Sequence, residues 1–235
     1  MNTLAEPFAN VAFEEAMLTA ADVPTLRIWF NQRSVVIGRG QLAESETDLD
    51  YCRAGSIPVV RRCTAGGAVY NGPGNLNWTF VVPGEGQTIR RLMDANGVFT
   101  RFAKVVVGAL GECGVAAKFV PPNSIYDGTG KVSGMAAYVS KGNVLCHGTL
   151  LHGADLHEVV RLTTPKPEVI DRRYPRSRSV KVSNCKVSPE AFVKKVSEAA
   201  GGFDPGVPTQ RELAAADGLL PRYKSASWNL GDPFA

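Results

Sequence analysis

The strongest constraint on the fold is a series of short segments rich in β-branched and aromatic residues, each bounded by Gly, Pro or Asn. Such segments are typical of β-strands. The last three are joined by turns at 127–130 and 140–143, which indicates an antiparallel meander. The predicted strands span residues 25–30, 34–38, 57–62, 76–82, 115–120, 124–126, 131–139 and 144–151. We expect them to form one largely antiparallel sheet.

Between and after these strands, apolar residues recur at helical spacing. We predict helices over 7–21, 88–112, 154–162, 188–200 and 209–216. Thr88 is the candidate N-cap of the longest helix and Gly114 its stop, while Thr209 and Glu212 form a capping box. Residues 163–186 are expected to form a mobile loop. The pattern predicts an α+β fold, with a mixed, largely antiparallel sheet packed by helices.

Size and charge exclude several classes of protein. The 235 residues are 44% hydrophobic, which predicts one domain over 1–235. A net charge of +4 without dense cationic runs argues against nucleic-acid binding, and no apolar stretch approaches membrane-spanning length. Five dispersed cysteines without a C-x-x-C pair, and no signal-peptide pattern, indicate reduced thiols in the cytoplasm.

A turn of small residues follows the strand that ends in Arg61 and Arg62. Backbone at Thr64, Ala65, Gly66, Gly67 and Ala68 can approach a ligand closely and present N–H groups to an anion. We interpret this turn as a phosphate or carboxylate cradle; a plain glycine-rich hairpin is the other interpretation. The spacing matches neither a P-loop nor a dinucleotide-binding fingerprint. Strand alternation predicts that only one of the two arginines faces the cradle.

A second informative segment lies at 123–150. Lys131 follows a tight turn and precedes Ser133 and Gly134, so its ammonium would project over another closely approached stretch of backbone. Taken alone, Lys131 is more typical of a solvated lysine beside a hairpin.

Together these two segments resemble the lipoate-protein ligase A family, which lies within the larger group of biotin-protein ligases and octanoyltransferases. The family pattern R-R-x-[ST]-G-G-G-A-V-[FY] corresponds to residues 61–70, followed by Gly74 and Asn75. The segments G-x-K-[IV]-x-G and H-G-T-L-L correspond to 128–134 and 147–151, with weaker matches at 10–15, 34–39 and 227–229. The resemblance covers most of the chain.

The resemblance implies a biotin/lipoate-ligase-like catalytic domain that uses ATP and Mg²⁺ to convert lipoate or octanoate into an acyl-adenylate. The acyl group would pass to a lysine of a lipoyl carrier domain, of the 2-oxoacid dehydrogenase E2 or glycine-cleavage H protein type. Lys131 would be catalytic, placed between carboxylate and α-phosphate, and Mg²⁺ would accompany the triphosphate without dedicated protein ligands. Implied substrate- and nucleotide-binding residues are Arg61, Arg62, Thr64, Ala65, Gly66, Gly67, Ala68, Gly74, Asn75, Asn123, Ser133, Gly134, Ala136, His147, Gly148 and Thr149.

Two alternatives stay open at this point. An octanoyl or lipoyl transferase of the same fold needs a reactive thiolate instead of ATP. One class of these transferases has its cysteine where this chain has Val144, so Cys146 is expected to be a structural thiol. A non-catalytic subunit that binds lipoyl-AMP is the other alternative. The family's small C-terminal domain has no counterpart here, so a separate accessory subunit is expected. The arginines at 172–178 suit an acidic carrier or a solvated loop, and His147 orients the ligand or satisfies a core hydrogen bond.

Overall fold

Two sheets organise the protein, rather than the single sheet expected. The computed structural model describes residues 6–84, 95–140 and 142–235. The larger sheet has the order β1-β5-β9-β8-β7-β6, and all its neighbouring strands are antiparallel. Its strands are β1 (Thr25–Trp29), β5 (Asn75–Val82), β6 (Lys118–Val120), β7 (Ser124–Tyr126), β8 (Lys131–Ser140) and β9 (Asn143–Leu151).

The smaller sheet has the order β3-β2-β4, formed by β2 (Ser34–Ile37), β3 (Val59–Arg61) and β4 (Val69–Asn71). Strands β2 and β3 are parallel because the chain crosses over through a short helix, Leu49–Ala54, before β3 begins. Strand β4 runs antiparallel to β2 and was not predicted, because three residues directly after a glycine turn carry too little pattern. The α+β class is confirmed; the division into two sheets was not foreseen.

The helices are α1 (Pro7–Ala20), α2 (Leu49–Ala54), α3 (Ala95–Glu112), α4 (Leu156–Leu162), α5 (Pro189–Ala199), α6 (Gln210–Lys224) and α7 (Ala226–Leu230). The predicted cap Thr88 lies outside the described residues, and α3 ends just before Gly114, whose φ is +80°. The predicted capping box of Thr209 and Glu212 is present. Helix α6 continues well past the predicted end because Leu219, Leu220 and Tyr223 pack in a core with α1.

The two faces of the larger sheet differ in chemistry, and β5 shows why. Its alternate residues Leu76, Trp78 and Phe80 join α3 and α5 in the main hydrophobic core. The intervening residues Asn77 and Thr79 face the opposite way, toward α1 and the smaller sheet. The polar face therefore lines a space between the two sheets.

Candidate active site

A cavity of about 440 Å³ lies between the polar sheet face and the glycine turn after β3. Its floor is built from small residues on adjacent strands, Gly134 and Ala136 of β8 with Gly148 and Thr149 of β9. At Gly148, an added Cβ would lie 2.4 Å from the Trp78 ring, so glycine is required there. Small side chains keep this floor open to a ligand.

Lys131 begins β8 and is fixed from behind by the 181–183 segment. Its N–H donates to the Lys181 carbonyl at 2.9 Å, and its carbonyl accepts from Ser183 N at 3.0 Å. The side chain lies over Gly134, where a Cβ would approach Nζ to 3.1 Å. Within the described residues the ammonium has no hydrogen-bond or ion-pair partner, and burial lowers the pKa of Lys131. The lysine is thus a half-buried cation available to an anion.

A second cavity of about 420 Å³ adjoins the first. The two share lining residues, including Ala68, Lys131, Gly134, Thr149 and Arg178. The walls of the second cavity are otherwise mostly apolar, with Tyr70, Leu151, Val159, Pro165, Ile170 and Val182 among them. Lys131 therefore lies at the junction of two chambers.

The adjacent arginines have different roles, as strand alternation predicts. Arg62 lines the first cavity and donates to Thr64 Oγ1 at 2.8 Å and to the carbonyls of Ala65 and Gly67 at 2.7 and 2.9 Å. It holds these carbonyls on one side of the turn. Burial lowers the pKa of Arg62 to about 10.

Arg61 lines neither cavity, contrary to its implied role in ligand binding. It is buried and donates to the carbonyls of Trp228 at 2.6 Å, Gly231 at 2.9 Å and Arg39 at 3.0 Å. The guanidinium therefore ties the C-terminal segment to the strand that carries the turn.

The glycine turn is partly covered by the loop that precedes Val182. Ala68 N donates to Ser177 Oγ at 2.7 Å, whereas the N–H groups of Gly66 and Gly67 make no hydrogen bond within the described part of the chain. Buried Glu46 anchors the loop by accepting from Arg176 Nε at 2.6 Å and from Ser177. Of the three cradle residues that line the first cavity, Gly66 and Gly67 have amides that are free within the described chain, and the amide of Ala68 is occupied by the loop.

A buried chain of polar groups connects α1 to this turn. Thr64 Oγ1 accepts from Arg62 Nε at 2.8 Å and shares a hydrogen bond with His147 Nε2 at 2.9 Å. The other ring nitrogen, His147 Nδ1, donates to Glu14 Oε1 at 2.9 Å. Burial opposes ionisation of Glu14, but the charge and hydrogen bonds of His147 and Thr79 outweigh it, so the pKa of Glu14 is lowered. His147 is therefore held in one orientation at the cavity wall.

The structure brings together most, but not all, of the predicted binding residues. Lining the first cavity are Arg62, Gly66, Gly67, Ala68, Asn123, Lys131, Gly134, Ala136, His147, Gly148 and Thr149. Ser133 lines only the second cavity. Arg61, Thr64, Ala65, Gly74 and Asn75 line neither. Gly74 has a structural role, because a Cβ there would lie 2.1 Å from the Gly153 and Ala154 backbone.

Sequence reasoning missed three groups of residues that line the first cavity. They are the loop segment 175–180, the neighbours of Asn123 at β6 and β7 (Val120, Pro121, Pro122, Ser124 and Tyr126), and the far end of the cavity (Val11, Glu14, Trp29, Val36, Asn71 and Asn77). Glu14 carried a usable signal, because it is a charged residue among the buried positions of α1. No local signal connected residue 177 to residue 46.

No cysteine lines either cavity among the residues that the structure describes. Cys146 is fully buried beside Trp78 in the main core, and burial raises its pKa. Its thiolate is therefore strongly disfavoured.

In the described ranges, no three His, Cys, Asp or Glu residues are placed to hold a metal ion. None of the helices there is both long and apolar enough to cross a bilayer.

The chain was compared with known proteins. Residues 6–200 match the model of the lipoyl protein ligase A/B catalytic domain. Lipoate–protein ligase 1 of Staphylococcus aureus is 32% identical over 78% of this chain and 54% of its own length. Lipoate-protein ligase A subunit 1 of Thermoplasma acidophilum is 29% identical over 94% of this chain and 91% of its own.

The fold is also similar to solved structures described as lipoate-protein ligases. A lipoate-protein ligase A bound with ATP superposes with a TM-score of 0.82 at 28% identity, over 96% of this chain and 94% of the other. A T. acidophilum protein described as a putative lipoate protein ligase, with bound lipoic acid, superposes with a TM-score of 0.81 at 28% sequence identity. The match again covers 96% of this chain and 94% of the other. A bi-partite T. acidophilum lipoate protein ligase, described with its E2 lipoyl domain, superposes with a TM-score of 0.78 at 30% sequence identity. The match covers 96% of this chain and 92% of the other.

The fold and the paired cavities define an α+β domain with a two-chambered binding site. The chain belongs to the lipoyl protein ligase A/B catalytic-domain family. It spans about half the length of the S. aureus relative, although it covers nearly all of the Thermoplasma subunit.

Proposed function

We propose that this chain is the catalytic part of an ATP-dependent lipoate-protein ligase. It forms lipoyl-AMP and passes the lipoyl group to a lysine of a carrier domain. One observation carries the proposal: the unpartnered ammonium of Lys131 lies where two ligand-sized cavities meet. An acyl-adenylate has this shape, with an acyl arm and a nucleoside arm joined at an anionic centre.

The acyl arm fits the first cavity. From β8, which carries Lys131, to β1, which carries Trp29, the sheet order crosses three strand spacings, or roughly 14 Å. An extended eight-carbon chain spans roughly 10 Å at about 1.5 Å per C–C bond. A carboxylate at Lys131 would thus place its tail near Val11, Trp29 and Val36, the apolar residues at the far end.

The nucleoside arm fits the second cavity. Its mostly apolar walls suit a purine ring, and β4 is the last strand of its sheet in the described residues, so its outer backbone edge can hydrogen-bond a base. Arg178 is exposed, lines both cavities and has no ion pair within the described chain, so it adds a cation near the phosphates. Mg²⁺ would enter with the triphosphate.

Charge explains how this site would promote adenylation. A carboxylate must attack the α-phosphate of ATP, and both groups are anionic. Lys131 lies where the two meet and would stabilise the charge that develops on the bridging oxygens. Gly66 and Gly67 line the first cavity, and their amides, free within the described chain, would supply dipoles to the anionic centre. No side-chain nucleophile is required.

The transferase alternative lacks support at the site, because no described cysteine lines a cavity. Asn123 and Ser124 line the first cavity, but an amide is not a nucleophile of this kind, and the Ser124 hydroxyl has no hydrogen-bonded base within the described chain to activate it. The Thermoplasma relative is named as one subunit, and a related ligase is described as bi-partite with an E2 lipoyl domain. A lipoyl carrier domain as acceptor and a small accessory subunit therefore belong to the proposal.

The test is pyrophosphate release by the purified chain with ATP, Mg²⁺ and lipoate, followed by mass spectrometry of a lipoyl domain. Both assays are run with and without an accessory protein. We expect pyrophosphate release and a lipoyl mass shift that depend on ATP. Acyl transfer from an octanoylated carrier protein without ATP would contradict the proposal. If neither pyrophosphate release nor a lipoyl mass shift occurs under any condition, but the chain binds lipoyl-AMP tightly, the chain would instead be a binding subunit.

A further inference from the structure

Three buried asparagines form a cluster at the far end of the first cavity. Asn77 Nδ2 donates to Asn71 Oδ1 at 2.6 Å, and Asn75 Nδ2 donates to the same oxygen at 3.2 Å. Asn71 and Asn77 line the cavity, whereas Asn75 lies behind them. The cluster adjoins Trp29, since Asn77 pairs with Trp29 across β1 and β5.

The orientation of the cluster follows from one backbone group. Asn77 Nδ2 lies 3.4 Å from the Trp29 carbonyl, which only accepts hydrogen bonds, so the nitrogen of Asn77 must be on that side. The Asn71 atom facing Asn77 Nδ2 is therefore its oxygen. This leaves Asn71 Nδ2 as the outward atom of the amide.

Asn71 Nδ2 is a donor without a protein partner. No residue in the described chain accepts from it, and it is not among the side-chain atoms that are sealed from solvent without a partner. Asn71 as a whole is only 2% exposed and lines the first cavity, so its Nδ2 atom is exposed to that cavity. The neighbouring walls at Val11, Trp29 and Val36 are apolar.

We propose that Asn71 selects acids whose tail carries a hydrogen-bond acceptor near the end opposite the carboxylate. This deepens the proposed ligase function and rests on it. A tail that ends as a plain alkyl chain would displace water from Asn71 Nδ2 and leave the donor unpaired, whereas a ring sulfur or carbonyl oxygen would accept from it. The unpaired donor should weaken binding of the alkyl acid by roughly tenfold.

The probes are hydrolysis-resistant acyl-sulfamoyl adenosines that carry lipoyl, octanoyl, 6-oxooctanoyl or 7-oxooctanoyl groups. The oxo acids differ from octanoate only by one carbonyl, so they separate hydrogen bonding from size. Titration calorimetry on the wild-type chain should show at least one oxo probe, and the lipoyl probe, binding roughly tenfold more tightly than the octanoyl probe. This ratio tests the proposal without any variant.

The variant is Asn71→Asp, which keeps the oxygen that Asn75 and Asn77 need but replaces the outward donor by an acceptor. It should abolish the preference for the oxo probe. Asn31→Asp is the matched control: Asn31 is also buried, accepts from Asn10 at 2.9 Å and has an unpartnered Nδ2, but lines neither cavity. It should keep the wild-type ratio, with thermal unfolding confirming that both variants fold.

Equal wild-type affinity for octanoyl and both oxo probes would overturn the role of Asn71 and leave the ligase proposal standing. An unchanged ratio in Asn71→Asp would do the same. If the wild-type chain bound none of the four probes, both proposals would fail.

Discussion

Two cationic segments meet near the same cavity, and they use their charges in opposite ways. At the end of β3, Arg61 and Arg62 direct their guanidinium groups to backbone carbonyls and a hydroxyl. At the start of β8, Lys131 has its backbone bonded on both sides but its ammonium unpartnered within the described chain. The comparison teaches that a buried cation with satisfied donors shapes the protein, whereas an unsatisfied one is available for a ligand.

The largest effect should come from Lys131→Met. Because this ammonium lies where the two cavities meet and has no partner within the described chain, adenylation should fall by roughly a thousandfold. Folding should not suffer, since the change removes a desolvated charge. The measurement is pyrophosphate release, with chemical unfolding alongside. Lys118→Met, at an exposed lysine on β6, is the control and should keep activity. Near-normal turnover in Lys131→Met would remove this lysine from the mechanism.

Arg61→Met should show the opposite pattern, in stability rather than chemistry. It leaves several buried carbonyls without a donor, and the free energy of unfolding should fall by about 3–5 kcal/mol. Arg53→Met is the control, since Arg53 is exposed and pairs only with Asp50 at 2.8 Å. Denaturant titration measures the free energy of unfolding of both variants. A loss of activity in Arg61→Met at unchanged stability would contradict the division of roles.

Gly134→Ala should displace the lysine without unfolding the chain. The new Cβ would lie 3.1 Å from Lys131 Nζ and 3.2 Å from Cε, and a flexible side chain can move away at small cost. Displacement of the ammonium by even a fraction of an ångström should lower kcat by roughly ten- to a hundredfold. Gly108→Ala is the control, because nothing lies within 4 Å of a Cβ there. Equal kcat in the two variants would show that the lysine position is not critical.

The smallest effect concerns pH. The folded-state pKa of Lys131 lies below its ordinary value of 10.5, so at pH values between the two the unfolded chain binds more protons than the folded chain. The stability of the wild type relative to Lys131→Met should therefore rise with pH across that window. Denaturant titrations of both proteins from neutral pH to about pH 10.5 measure the difference between their free energies of unfolding. The contributions of all other titrating groups are common to both proteins and cancel in this difference. A constant difference would mean that burial does not perturb this lysine.

Local pattern was enough to predict the parts of the site that depend on neighbouring residues. Enrichment in β-branched and aromatic residues predicted β5, and the turn residues at 127–130 and 140–143 helped to predict β8 and β9. Period-two alternation correctly indicated that only one of Arg61 and Arg62 reaches the cavity. Lys131 and Gly134 are three residues apart, which would put them on opposite faces of a regular strand. Their contact needs the register shift between β7 and β8, which the sequence pattern did not indicate.

The parts that could not be predicted depend on distant partners. Glu46 meets Ser177 across 131 positions, and Glu14 meets His147 across 133. No spacing in the sequence reports such contacts. The division into two sheets was missed for a related reason, because pairing of β2 with β3 or with β5 is a choice between tertiary partners. The mobility of the 163–186 loop and the single-domain boundary stay predictions.

The bonds of Arg61 to Trp228 and Gly231 bear on where this chain could be shortened. The family match ends at residue 200, yet the strand that carries the glycine turn is tied to carbonyls about thirty residues further on. Helix α1 is tied to the same segment, since Tyr223 donates from its hydroxyl to Glu15 at 2.5 Å. A fragment cut where the family model ends would therefore lose the hydrogen bonds that support its own candidate site, so the limits of the family model and of an independently folding chain differ here.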